Sequence, residues 1–355
     1  MSKFYPLVVK EVVHETPSAV TLKFINPDPS VFKYLPGQYL TLKVPVDGEV
    51  HRRAFSLSSS PGLDPDLWVT VKCIEGGRTS HFLKKNAKPG QSYEVYPPLG
   101  KFTVELQPKD SRHFILVGSG SGITPLFSIL KSVLHFETRS KVTLIYGNAN
   151  REQTIFNDEL EKLKNDYLER FRLIHVMSRP HPGDEPDHVG RIEGPLAQKL
   201  ISEAWAYHDD DTLVYLCGPQ GMMDSVQKVL HQLGFPEKRI YREYYSAPLP
   251  SETEESERET NYEIVDRTVK VVLEGKKHSI FVKAGKNILQ AVIDKGLDPP
   301  FACQEGVCAT CRAHLDSGLV QMLERDGLSD EEINAGYILT CQSFPLTDDV
   351  ELEYC

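Results

Sequence analysis

The sequence contains no apolar run that approaches the ~20 residues of a membrane span. Its first residues, Met1-Ser-Lys-Phe-Tyr-Pro6, lack a cationic segment followed by an apolar core, so they do not read as a secretory signal. Cations are in the minority: 40 Lys and Arg stand against 50 Asp and Glu, a formal charge of −10. That balance argues against nucleic-acid binding, because neutralising phosphates takes an excess of Lys and Arg. No Ser-His-Asp or paired-carboxylate arrangement is evident, no internal repeat appears, and no receiver or DNA-binding segment is visible. Cysteine is scarce, at seven, an odd number, and three of the seven crowd into nine residues. Without an export signal, that pattern points to metal ligation rather than a disulfide framework, with the cytoplasm as the expected compartment.

What remains is a chain of 355 residues, 40% hydrophobic and 25% charged, enough for two or three ordinary soluble domains. Residues 1–108 show short alternating runs, Leu7–Val13, Val20–Phe24, Tyr39–Val44 and Trp68–Lys72, separated by turns such as Pro36-Gly37 and Pro89-Gly90. Many short strands between Pro/Gly turns predict an antiparallel barrel or sandwich. In 109–246 the pattern changes: apolar strands at His113–Val117, Lys141–Tyr146, Phe171–Val176 and Thr212–Leu216 alternate with helical stretches, which predicts a parallel α/β sheet. Residues 247–261 include Ser251–Thr260, with five glutamates and no apolar side chain, and are expected to form an exposed linker. The last block, 262–355, starts with a hairpin around Gly275, continues with a helix over Asn287–Lys295, and then carries the cysteine loop.

Cys303, Cys308 and Cys311 have C-x4-C-x2-C spacing, and Cys341 follows after 29 intervening residues. That is the spacing of plant-type 2Fe–2S centres, in which each iron takes two thiolates. The loop is rich in small residues, Ala302, Gly306 and Ala309, which let backbone N–H groups approach sulfur. A four-cysteine zinc site is the alternative, but such sites come as two close pairs, and here Cys341 stands alone. The segment resembles plant-type ferredoxin domains, which implies a β-grasp fold. From Asp298 onward there are twelve Asp/Glu and two Lys/Arg, a net of −10. This run is either a solvated surface or an acidic docking face for a basic partner.

Arg53-Ala-Phe-Ser56 places an arginine and an aromatic ring on one face of an extended strand, able to pair a phosphate and to stack on a flat cofactor. Gly76-Gly-Arg-Thr-Ser80 can form a phosphate nest ahead of a helix starting near His81. Gly118-Ser-Gly-Ser-Gly-Ile-Thr-Pro125 is a glycine turn between a strand and a helix, suited to close approach of a pyrophosphate. Cys217-Gly-Pro-Gln-Gly-Met-Met223 follows another apolar strand. Each motif alone is weak. Together, in this order with Pro98-Leu-Gly-Lys-Phe102, they resemble the ferredoxin–NADP reductase family, with its R-x-[YF]-S, G-x-x-S, P-x-G-x-F, G-x-G-x-x-P and C-G-P-x-x-M motifs.

The resemblance implies an FAD-binding antiparallel β-barrel (FMN in one branch), an α/β nicotinamide domain and a β-grasp 2Fe–2S domain. By position, Arg53 would bind the flavin phosphate, Phe55 would pack on the isoalloxazine, and Ser56 would lie near its N5 atom. Ala54, Lys72, Gly77, Arg78, Thr79 and Ser80 complete the expected flavin set. Gly120, Ser121, Gly122 and Thr124 would contact the pyrophosphate, with Gly218, Pro219 and Met222 on the nucleotide side. Met222 and Met223 suit core packing equally well. Cys217 would sit beside the nicotinamide, or be a buried structural thiol. Ser178 and Arg179 imply a 2′-phosphate pocket and hence NADPH rather than NADH. Glu243-Tyr244-Tyr245 matches the E-x-[YF] segment near both cofactors, so Ser56, Cys217 and Glu243 are the expected groups at the chemistry. The domain order looks like reductase components of bacterial multicomponent oxygenases, of the phenylacetyl-CoA epoxidase type. It implies electron flow from NADPH to FAD, to the cluster, and on to a terminal oxygenase or desaturase. A partner-free diaphorase and an iron–sulfur redox sensor are the other readings.

Overall fold

Burial along the strands separates two kinds of sheet. Arg267–Leu273 and Lys276–Val282 largely alternate buried and exposed side chains, whereas His113–Ser119 and Lys141–Asn148 are buried almost throughout. Alternation suits an antiparallel sheet with one wet face, and continuous burial suits a parallel sheet covered on both faces. The computed structural model describes residues 4–205, 211–245 and 265–354. The expected linker, 247–261, lies outside the described residues.

The first sheet is an antiparallel barrel of β1 (Tyr5–Thr16), β2 (Ala19–Phe24), β3 (Tyr39–Val46), β4 (Glu49–Ser56), β5 (Leu67–Lys72) and β6 (Ser92–Leu99), in the order β4-β3-β6-β1-β2-β5. A bridge between Leu57 and Val69 draws the end of β4 onto β5 and closes the ring. Leu7, Val20, Leu22, Leu40, Leu42 and Val95 fill it with no exposed surface. Each such side chain contributes roughly 1.5–3 kcal/mol by leaving water. Helix α1 (Arg78–Asn86) follows β5. It begins three residues earlier than the sequence suggests. Gly77 is its N-cap in extended conformation, so Arg78, Thr79 and Ser80 are the first helical turn and carry its unpaired N–H groups.

The second sheet is wholly parallel: β7 (His113–Ser119), β8 (Lys141–Asn148), β9 (Phe171–Met177), β10 (His188–Val189), β11 (Thr212–Cys217) and β12 (Ile240–Glu243), ordered β10-β9-β8-β7-β11-β12. Helices α2 (Ile123–Phe136) and α3 (Asn157–Asp166) bury one face. Helices α4 (Gly194–Trp205) and α5 (Gln220–Gln232) bury the other. The strand order reverses between β7 and β11, and ligands bind at the carboxyl ends of strands at such a switch point.

The third sheet is mixed: β13 (Arg267–Leu273), β14 (Lys276–Val282), β15 (Arg312–Ser317), β17 (Tyr337–Leu339) and β19 (Glu351–Tyr354), in the order β14-β13-β19-β15-β17. Strand β13 pairs in parallel with β19, and the other pairs are antiparallel. Helix α6 (Ile288–Asp294), capped by Asn287 accepting from the Gln290 N–H, packs Ile288, Ala291 and Val292 into this sheet, the β-grasp arrangement. A small hairpin of β16 (Val320–Met322) and β18 (Ser343–Pro345) and the helix α7 (Asp330–Asn334) complete the unit. No helix among the described residues is long and apolar enough to cross a membrane.

Candidate active site: two clefts and a cysteine loop

A cleft of about 390 Å³ opens where the end of β4, the end of β5 and the start of α1 meet α2. Arg53, Ala54, Phe55 and Ser56 form one wall, Lys72 the floor, and Gly77, Arg78, Thr79 and Ser80 the opposite side, with Ser121, Thr124 and Tyr245 at the far end. The hydroxyl of Thr79 is buried in that wall without a hydrogen-bond partner, and it stands beside free helix N–H groups. Such a cradle fits a phosphate. Arg78 pairs loosely with Asp47 and Glu49, at 3.3 and 3.4 Å, and half its side chain is exposed, so it can turn to an anion. The Lys72 ammonium has its pKa lowered by burial, with no ion pair among the described residues. A Cβ on Gly120 would lie 3.0 Å from its Nζ, so this cation sits between the two clefts.

The second cleft lies over the carboxyl ends of β7, β8 and β9. Lys72, Gly120, Asn148, Ser178, Arg191 and Met222 are among its walls, with Pro219 at the start of α5. Gly122 is dictated by close approach: a Cβ there would fall 2.0 Å from the Cys217 carbonyl oxygen. The turn is thereby pressed onto the end of β11, and Gly118 pairs with Cys217 in register. Gly218 lies just beyond, where a Cβ would collide with Met222 at 2.7 Å. Cys217 is fully buried, and burial pushes its thiol pKa well up, so it stays protonated. Both amide atoms of Asn148, which is 8% exposed, lack a partner. Two orphaned polar groups in two clefts mark places where a polar ligand completes the bonding. Ser178 faces the cleft, but Arg179, the next residue along the chain, lies outside its wall and is exposed.

Glu243 ends β12 and accepts a hydrogen bond from Ser56 Oγ at 3.0 Å. Burial pushes its carboxyl up to about 8, and the Ser56 bond only partly offsets this. The Tyr245 hydroxyl meets Thr124 at 2.9 Å and donates to the Ser121 carbonyl at 3.0 Å, although its ring is 46% exposed over the first cleft. Met222 and Met223 are both buried in the α5 core, and Met222 also reaches the cleft.

The cysteine loop is bent by three left-handed residues, Gln304 (φ 63°), Gly306 (φ 81°) and Ala309 (φ 51°). Two are not glycine, and strain of that kind persists where surrounding structure imposes it. The turns aim N–H groups inward: Cys303 N–H lies 3.4 Å from Cys308 Sγ, and Glu305 N–H lies 3.3 Å from Cys303 Sγ. Cys303 lies beside Cys308 and Cys311 beside Cys341, each close enough to shift its neighbour's titration. Among the described residues no three His, Cys, Asp or Glu side chains converge on one metal point. Two pairs of sulfurs fit two irons with two thiolates each.

These parts converge. A crevice bounded by Tyr39, Lys101, Phe102, Glu243, Cys308 and Ala309 joins the barrel, the end of β12 and the cysteine loop. Tyr39 pairs with Ser56 across β3 and β4, and its ring packs with Ala302 and Cys308.

Known proteins agree with this arrangement. A model of oxidoreductase FAD-binding domains matches residues 5–104, one of oxidoreductase NAD-binding domains matches 116–228, and one of 2Fe-2S iron-sulfur cluster binding domains matches 271–346. One of the subunits of the 1,2-phenylacetyl-CoA epoxidase of Escherichia coli K12 is 36% identical, over 100% of this chain and 98% of its own length. The ferredoxin reductase component of the 3-ketosteroid-9-alpha-monooxygenase of Rhodococcus rhodochrous is 36% identical, over 98% and 96%. The chain belongs to the ferredoxin–NADP reductase family. This reductase carries FAD-binding, nicotinamide-binding and 2Fe–2S domains in one chain. The structure of phthalate dioxygenase reductase, at 23% identity, shares its fold, with a TM-score of 0.61 over 99% of this chain and 98% of that one.

Two residues of the nucleotide cleft and two that seat the cysteine loop escape sequence reasoning. Asn148 and Arg191 enter the nucleotide cleft, and Asn148 does so at the carboxyl end of a parallel strand, a position that could have been flagged. Tyr39 and Arg52 meet the cysteine loop from strands of the barrel, and nothing local in the sequence announces it.

Proposed function

We propose that this reductase draws electrons from NADPH and delivers them singly to a terminal oxygenase, such as a phenylacetyl-CoA epoxidase, a hydroxylase or a desaturase. The supporting observation is the three-way crevice, where Ser56, Glu243, Tyr39 and Cys308 bring the flavin cleft, the nucleotide sheet and the cysteine loop to one place. A bound flavin takes two electrons from a nicotinamide and gives them up one at a time, which a 2Fe–2S centre can accept. The chain supplies the rest. Arg53 and the α1 amino terminus hold the flavin phosphate, and Phe55 packs on the ring. Glu243, neutral near pH 7, can turn its own O–H onto Ser56 Oγ, which frees the single Ser56 proton to donate to the ring and keeps a second proton nearby. Gly120–Gly122 and Thr124 receive the pyrophosphate at the start of α2, and Cys217, fully buried and in the wall of neither cleft, backs this turn as a small, neutral thiol. Cys303, Cys308, Cys311 and Cys341 hold the iron.

Ser178 with Arg191 in the nucleotide cleft favours a 2′-phosphate, and so NADPH, although Glu193 stands in the same wall. Relatives that are parts of an epoxidase and a ketosteroid monooxygenase support the oxygenase partner. We place the unit boundaries at 108/109 and around 247–261, and the protein in the cytoplasm. The test is purification followed by turnover. The protein is expected to be yellow-brown, to reduce ferricyanide and cytochrome c, and to prefer NADPH. A colourless protein without flavin or iron overturns the reading, and a preference for NADH overturns the choice of nucleotide.

A further inference from the structure

Strand β4 carries two adjacent arginines with different tasks. Arg53 lines the flavin cleft, while Arg52 points away from it. Arg52 is 6% exposed, a charge taken almost fully out of water. Its guanidinium lies between two rings, 5.1 Å from Phe4 and 4.2 Å from Phe301. It donates to the Pro299 carbonyl at 2.6 Å and pairs with Asp298. Lys43, its partner in register on β3, also reaches Asp298, at 3.0 Å. Pro299, Phe301 and Asp298 immediately precede Ala302 and Cys303, so apart from the Phe4 ring the groups around Arg52 form the lead-in to the cysteine loop.

A desolvated guanidinium must have its partners, and both groups that hydrogen-bond the Arg52 head group, the Pro299 carbonyl and the Asp298 carboxylate, belong to that lead-in. The fork geometry also allows one seat only, since the planar group must meet a carbonyl, a carboxylate and a ring face together. We propose that Arg52 is a positioning residue for transfer between the two redox sites, latching the segment Asp298–Phe301 and the cluster loop onto the flavin-binding barrel. This rests on the electron path proposed above. With the latch closed, Ala302 and Cys308 pack on Tyr39, one strand from Ser56. With it open, the cluster domain is held by the lesser contacts of Tyr39 and Thr41 with Thr310 and of Lys101 with the Leu328 carbonyl.

The experiment compares the full-length holoprotein with Arg52→Gln, Arg52→Lys and Asp298→Asn. Backbone amide exchange over 298–302, where Asp298, Phe301 and Ala302 carry the exchangeable N–H groups because 299 and 300 are prolines, reads the latch. Rapid mixing with NADPH or NADH reads flavin bleaching and cluster reduction separately. In Arg52→Gln, flavin bleaching stays at the wild-type rate and exchange at 298–302 accelerates. Cluster reduction slows about tenfold, the equivalent of about 1.4 kcal/mol of lost seating. Arg52→Lys falls between, because an ammonium keeps the charge but not the fork. Wild-type exchange in Arg52→Gln overturns the latch, whether or not cluster reduction slows, because any slowing then comes from another cause. If Arg52→Gln does not fold, Arg52→Lys and Asp298→Asn decide by the same two readouts. A wild-type protein that binds no flavin or iron defeats the proposed function instead, and the exchange comparison on that protein still decides the latch.

Discussion

The barrel makes two interfaces, and they are built differently. Against the nucleotide-binding unit, the core is continuous: Ala19, Phe102 and Val104 of the barrel side pack in one cluster with Phe114, Leu116, Leu126 and Tyr215. Around it, Ser128 donates to the Ser59 carbonyl, Ser132 meets Ser60, and Lys131 pairs with Asp64, all nearly dry. Against the cluster domain, the apolar contact shrinks to a patch around Tyr39, Ala302 and Cys308, joined by the hydroxyls of Tyr39 and Thr41 on Thr310 and by cations from the barrel. Arg52 and Lys43 hold Asp298, while Lys101 donates to Leu328 at 2.9 Å among Asp326, Asp330 and Glu332. A shared hydrophobic core makes two units melt as one, whereas small polar contacts resemble transient association. The first interface fixes flavin and nucleotide together. The second seats a domain that can be separated from them, and it turns part of the acidic surface inward.

The largest effect should come from the separable side. Cys308→Ser removes a proposed ligand, so the cluster and its visible and electron-paramagnetic signals should be lost, along with cytochrome c reduction. NADPH-to-ferricyanide turnover persists, because the fused flavin and nucleotide units do not depend on that thiol. Equal loss of both activities would show that the two interfaces are not independent. Next in size is the fused side. Phe102 is 3% exposed and meets Tyr215 edge-on at 5.4 Å, so Phe102→Ala should cost about 3–5 kcal/mol. Calorimetry should show one transition for the barrel and the nucleotide unit, moved down as a whole. If that transition splits and only one part moves, the core is not shared as described.

A smaller effect, titratable, concerns Glu243, on the line where both interfaces meet. Its pKa rises from 4.5 to about 8, mainly through burial. The neutral form therefore favours the fold. That contribution is whole below pH 4.5 and is lost as the pH rises through about 8. The limiting slope in that window is about 1.4 kcal/mol per pH unit, and partial exposure of the side chain lowers it. Glu243→Gln should thus raise the melting temperature at pH 8 more than at pH 5, and it should flatten any pH dependence of flavin reduction centred near 8. An unchanged pH profile in the variant would remove Glu243 from the site.

What the sequence reveals follows the same division. The cysteine spacing is legible because cluster ligation constrains residue type and distance along the chain together. The sheets are legible because alternating and continuous apolar runs have different periods. The sequence offers Ser178 and Arg179 together but not that only Ser178 faces the cleft, since β9 ends at Met177 and the bend beyond it sets the two directions. The start of α1 is read too late along the chain, because Arg78-Thr-Ser80 looks like a loop until Gly77 is seen to cap it. The cluster-side interface is invisible. Arg52 meets Pro299 across 247 residues, and Tyr39 meets Thr310 across 271, so neither contact leaves a local pattern.

The smallest expected effect tests which contact sets the separable seat. The Tyr39 hydroxyl lies 3.3 Å from Thr310 Oγ1, and that hydroxyl lies 3.3 Å from Cys308 Sγ. Burial holds the phenol well above its ordinary pKa, so it remains a neutral donor. Both contacts are long, and Thr310 keeps Thr41, at 3.3 Å, as another partner. Tyr39→Phe therefore gives up one weak hydrogen bond, worth at most about 1 kcal/mol, and keeps the ring against Ala302 and Cys308. Amide exchange over 298–302 should match wild type, and cluster reduction should stay within about twofold. Arg52→Gln removes a desolvated charge from the same interface and should do far more. If Tyr39→Phe slows cluster reduction as much as Arg52→Gln does, the hydrogen-bond chain to the sulfur sets the transfer, and the charged seat is secondary.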